Sequence, residues 1–141
     1  MQFKTLAAAA AIMVFVAGTA NAATLRFTAA LSAAETVPAN DSKATGQATA
    51  TLDTVTKVLE YSATYSGLSG AATAAHIHGA ALPGANAGPV VMIASAASPI
   101  KGTATLTDAQ IADLTAGKYY LNVHTAAHPG GEIRGQFKAA P

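Results

Sequence analysis

Three observations in this chain predict an all-β fold, an antiparallel Greek-key-like β-sandwich of about eight strands with one short helix. Its dominant hydrophobic period is two. Turn residues interrupt the alternating runs at short intervals, and only one stretch carries helical signals. There are no alternating strand–helix units, so parallel-sheet architectures are excluded and a sandwich or partly closed barrel remains.

The first 22 residues read as a leader. Lys4 precedes an apolar run from Leu6 to Ala17, and Ala20-Asn21-Ala22 supplies an Ala-x-Ala cleavage site. That order is a secretory signal peptide, and the run is roughly half the length a membrane helix needs. Residues 23–141 are then one mature domain, secreted or periplasmic, with no membrane segment after cleavage.

Leu25, Phe27, Ala29 and Leu31 alternate with Arg26, Thr28 and Ala30. Ala44, Gly46, Ala48, Ala50 and Leu52 alternate with Thr45, Gln47, Thr49 and Thr51. Leu59, Tyr61, Ala63 and Tyr65 repeat the pattern after Asp53–Thr56, which reads as a hairpin turn. Gly67-Leu68-Ser69-Gly70 is a turn-rich break before a strand through His76. Gly79–Gly88, with three glycines, Pro83 and Asn86, must be a loop. Val90–Ala94, apolar on both sides, reads as a central strand, and Ile100, Gly102, Ala104 and Leu106 alternate again.

Thr107-Asp108-Ala109-Gln110 fits a capping box, Ile111 and Leu114 an apolar stripe, and Gly117 a helix stop. Strands over Lys118–His124 and Glu132–Lys138 follow, joined by a loop whose Pro129-Gly130 suits the middle of a type II turn. The expected core is Leu25, Phe27, Leu52, Leu59, Tyr61, Tyr65, Ile77, Val90, Met92, Leu121, Val123, Ile133 and Phe137.

Of the 8 basic residues only Lys4 lies in the leader, so the mature chain balances its 7 acidic residues. Without a basic cluster, nothing draws it to nucleic acid or anionic lipid. The chain contains 0 cysteines, which excludes disulfides, thiolate nucleophiles and zinc–thiolate or blue-copper sites. A metal site would have to use imidazole and oxygen.

All 4 histidines fall in two short segments, Thr73–Val91 and Asn122–Gly135. With Ala75 and Ile77 inward, His76 and His78 share the opposite face of one strand, roughly 6.5–7 Å apart along it. The same alternation places His124, Glu132 and Arg134 on outward, wet faces. His-x-His with His124 and His128 is a candidate transition-metal site for copper or zinc. The competing reading has these rings hydrogen-bonded to loop carbonyls and pinning Gly79–Gly88. Glu132 and Arg134, two apart on one face, read as a solvated ion pair of little worth.

Several stretches resemble the chordin-type (CHRD) domain. They are Phe27–Ser32 with Glu35–Pro38, Tyr65–Gly70, Ala75–Gly79, Gly88–Val91, Ala116–Thr125 and Pro129–Gln136. The resemblance runs in order along essentially the whole mature chain, in the bacterial single-domain secreted form. It implies an all-β extracellular or periplasmic module; animal chordins carry several copies in secreted growth-factor antagonists. His-x-His on a sandwich strand is also similar to the copper ligands of copper–zinc superoxide dismutase. This chain lacks that family's cysteines and its full bridging and zinc set, so the likeness speaks for metal binding rather than dismutation.

The reading that unites these features is an exported, non-enzymatic binding module with a histidine-based copper or zinc site. One alternative is a metal-free interaction or adhesion module, binding a protein partner or itself through loops Gly79–Gly88 and Thr125–Gly131. Another is a superoxide-dismutase-like copper oxidoreductase. No nucleophile elbow, P-loop, dinucleotide fingerprint or paired carboxylates support other chemistry.

Overall fold

Period-two alternation becomes strand wherever one face can be buried, and the computed structural model describes this for residues 23–141. The leader expectation, residues 1–22, lies outside the described residues. Strand β1 (Thr24–Ser32) buries Phe27, Ala29 and Leu31. After a 3-10 turn at Ala33–Glu35, β2 (Thr45–Asp53) buries Ala48, Ala50 and Leu52, and β3 (Val58–Ser66) buries Leu59, Tyr61 and Ala63. The β2–β3 turn is the expected one: Asp53 Oδ1 accepts from the backbone N–H groups of Val55 and Thr56, both at 2.8 Å.

The chain continues through β4 (Ala72–His78), β5 (Pro89–Met92), β6 (Ile100–Thr105) and α1 (Asp108–Thr115). Both halves of the capping box form at α1: the Gln110 N–H donates to Thr107 Oγ1, and the Thr107 N–H to Gln110 Oε1. Gly117 ends that segment with φ +73°, a conformation that glycine adopts without steric cost. Then come β7 (Tyr120–Thr125), β8 (Ile133–Gln136) and β9 (Lys138–Ala140).

The strands are antiparallel in the order β5-β4-β7-β8-β1-β2-β3-β6, with β9 also on β1, and curl toward a barrel-like sandwich. Ile77, Leu121, Val123, Ile133, Phe137 and Leu114 close the core from the other side. Each large aliphatic contributes about 1.5–3 kcal/mol on burial, whereas the many inward alanines contribute little. Leu25 and Tyr65 only partly enter this core.

The structure corrects several expectations. On β5 the phase is off by one: Val91 is buried, Val90 only partly so, and Met92 is 69% exposed. A run that is apolar at every position carries no alternation to phase it, and the Ile77↔Val91 pairing decides which side faces in. β5 is also an edge strand rather than a central one, consistent with Pro89, which has no N–H to donate. The last strand is split at the fully buried Phe137, whose N–H donates to the Tyr119 carbonyl at 2.9 Å. Before the break β8 pairs with both β7 and β1, and after it β9 pairs with β1.

Pro129 and Gly130 do occupy the centre of a turn, closed by the Gly131 N–H on the His128 carbonyl at 2.9 Å. The positive φ falls on Gly131 (+121°) and not on Gly130, so the turn is not type II. A Cβ at Gly131 would collide with the Asn122 amide, which is why glycine stands there.

Candidate metal centre

Three of the four histidines converge. His76 and His78 leave β4 on the face opposite Ala75 and Ile77, and β7 aligns beside it with His76↔Asn122 and His78↔Tyr120. His124, two residues beyond Asn122, therefore projects over the same patch. One nitrogen from each of His76, His78 and His124 lies within 4.8 Å of the others. His128 is outside this group; its backbone closes the turn with Thr125 and Gly131.

The hydrogen bonds determine which nitrogens are free. His78 Nδ1 donates to the Ala87 carbonyl at 2.9 Å, and His124 Nδ1 to the Pro129 carbonyl at 2.9 Å. A carbonyl can only accept, so each ring carries its proton on Nδ1 and directs an Nε2 lone pair elsewhere. Tethering the second nitrogen to a backbone carbonyl is how metal-binding histidines are oriented.

His76 Nδ1 lies 3.2 Å from His124 Nε2. Two ligands on a tetrahedral ion with bonds of about 2.0–2.1 Å stand roughly 3.3 Å apart. The same spacing accommodates a proton donated by His76 when no ion is present. His78 Nε2 is buried and has no hydrogen-bond partner, a costly state for a nitrogen lone pair unless something else takes it. Burial lowers the pKa of His76, with the nearby His124 adding to it. Burial likewise lowers that of His78, against the opposing Ala87 bond. Both shifts favour the neutral ring that carries a free lone pair.

The face carrying the histidines is only partly wet, where a wet face was expected: His76 and His124 are half-buried, whereas His78, Arg134 and Gln136 are buried. Its parity is as expected, but the 79–88 loop covers the end that carries His78 and makes a buried polar layer there. Arg134 is 1% exposed. Its guanidinium donates to the Ala85 carbonyl at 2.8 Å, Asn86 Oδ1 at 3.3 Å and Gln136 Oε1 at 3.0 Å. It also lies 3.5 Å from the centre of the Tyr120 ring, whose π-face offsets the cost of burying the charge. Gln136 Nε2 reaches the carbonyls of Ala81 (2.8 Å) and Gly117 (2.7 Å).

Tyr120 stacks on His78, centroids 4.9 Å apart and planes 5° from parallel. Its hydroxyl accepts from the Ala87 N–H at 3.0 Å and lies 3.2 Å from the Ala87 carbonyl. Periodicity located the imidazoles but not this support. Tyr120 holds the Ala87 carbonyl that orients His78 and Arg134 holds the loop just before it at Ala85 and Asn86, and only the register of three strands makes them neighbours.

Glu132 and Arg134 form no ion pair, which corrects the reading of a solvated surface bridge. Fully buried Glu132 accepts from the Ser69 N–H (2.8 Å), Ser69 Oγ (2.6 Å), Ser42 Oγ (2.7 Å) and Thr125 Oγ1 (2.7 Å). Burial raises its pKa, but these four bonds outweigh it and hold the carboxyl at about 2. The effect is to draw two loops onto β7 and β8 beside the histidines.

The family model described as CHRD domain matches residues 27–137. No curated protein and no solved structure matches the chain.

Proposed function

The chain belongs to the CHRD domain family, and from that premise we propose that it is an exported, non-enzymatic binding module. It takes a copper or zinc ion on His76, His78 and His124. The observation that carries this reading is the arrangement of the three rings. Their nitrogens lie within 4.8 Å, two rings are pinned through Nδ1 to carbonyls, and His78 Nε2 is buried without a partner. Three nitrogen donors leave further coordination positions open to solvent or a partner.

Isothermal titration of the purified protein with zinc(II) and copper(II) tests it. Saturable binding of one ion per chain is expected, weakened about 100-fold or more in His78→Ala. No heat above background, or an unchanged curve in His78→Ala, rejects the site and leaves a metal-free interaction module.

A further inference from the structure

Resting on the metal-site reading, we propose that Met92 supplies a thioether ligand to the ion held by His76, His78 and His124, so that the site is built for copper, including copper(I). The strand register carries the proposal. Met92 on β5 is the direct antiparallel partner of His76 on β4, and such partners point to one face with Cβ atoms about 4.5–5.5 Å apart. The phase is independently set by the next pair, Ile77↔Val91, in which both side chains are buried in the core. Met92 must therefore stand on the histidine face.

His76 is flanked by Asn122 on its other side, so Met92 occupies the open flank of the cluster. At 69% exposure, its side chain is not committed to the core, and three rotatable bonds allow the sulfur to swing toward a neighbouring ion. The chemistry then separates the metals. Thioether sulfur is a soft donor that suits copper(I), and imidazole suits copper in either oxidation state. Zinc(II) is borderline in softness and fills an open position with water. The chain has 0 cysteines, and its other two methionines, Met1 and Met13, lie in residues 1–22. Met92 is the sole sulfur among the described residues.

The test compares the full chain with Met92→Leu, which keeps the bulk and removes the sulfur. Copper(I) affinity is measured by competition with a chromophoric copper(I) chelator, zinc(II) affinity by titration, and the copper(I) ligand shell by X-ray absorption. The expected result is copper(I) binding weakened by roughly tenfold or more, with zinc(II) binding changed by less than about threefold. A sulfur scatterer should be present in wild type and absent in Met92→Leu. Copper(I) binding unchanged in Met92→Leu overturns the thioether ligand while leaving the histidine site standing. Equal weakening of both metals signals a disturbed edge strand and also overturns it. A wild-type chain that binds neither metal defeats the histidine site, and this proposal falls with it.

Discussion

Glu132 shows how one side chain takes on a role that its neighbours decide. Two residues from Arg134 on alternating sequence, it has the pattern of a surface ion pair, yet it is fully buried and spends its charge on hydroxyl and amide donors. Charge-assisted bonds are the stronger kind, and here they anchor both the Gly67–Gly70 turn and the segment around Ser42. In Glu132→Gln an amide NH2 would face at least one of these donors, and the charge would be gone. A loss of about 2–4 kcal/mol is expected, read as a lowered urea midpoint with unchanged m.

The same group makes stability depend on pH. Its folded pKa of about 2 lies below the ordinary 4.5, so its contribution is fully present above about pH 4.5 and is lost as pH falls toward 2. Glu132→Gln should flatten that part of the acid profile. A profile identical to wild type would show that other carboxylates govern it.

At the scale of elements, strand separation is set by the smallest residues. Gly135 of β8 lies so close to β1 that an added Cβ would meet the Ala30 carbonyl oxygen at 2.5 Å and the Ala29 Cβ at 3.2 Å. Backbone cannot rotate away as a side-chain tip can, so Gly135→Ala must push β8 from β1. A destabilisation of about 1–3 kcal/mol is expected, and an unaltered denaturation midpoint would mean that the strands part freely. The edge strand β5 illustrates the converse. It buries only Val91 deeply, so it contributes little to the core and much to the surroundings of His76.

Across the whole molecule, the three candidate histidine ligands sit on β4 and β7, within the β5-β4-β7-β8 half of the strand order. The ion pairs among the described residues are Lys57–Asp108 and Lys118–Asp113, both partly exposed and worth little. Stability therefore rests on the core and on the buried polar layer. An ion joining β4 to β7 adds to it by linkage, about 2.7 kcal/mol at a hundredfold excess over Kd. For a domain of this size that should raise Tm by something on the order of 10 °C. The shift should disappear with a chelator and in a His76→Ala/His78→Ala variant. A rise that persists in the double variant would point to binding elsewhere.

Much of this molecule was legible in its residues one strand at a time. Alternation assigned Ala75, Ile77, Leu121 and Val123 to one side and His76, His78 and His124 to the other, and Thr107 with Gln110 announced the helix. Those features are local, because side chains two apart share a face whatever the rest of the chain does. Whether that second face meets water was not local. It depended on where the 79–88 loop falls, which Arg134, Gln136 and Tyr120 decide from other strands. The phase of β5 and the break at Phe137 were likewise settled by pairing with distant segments. The sequence by itself determined an antiparallel β-domain with its histidines set apart from the core. Tertiary structure alone decided that three of them meet, that His128 stays apart, and that a buried polar layer orients the rings, because those outcomes depend on register between strands far apart in the chain.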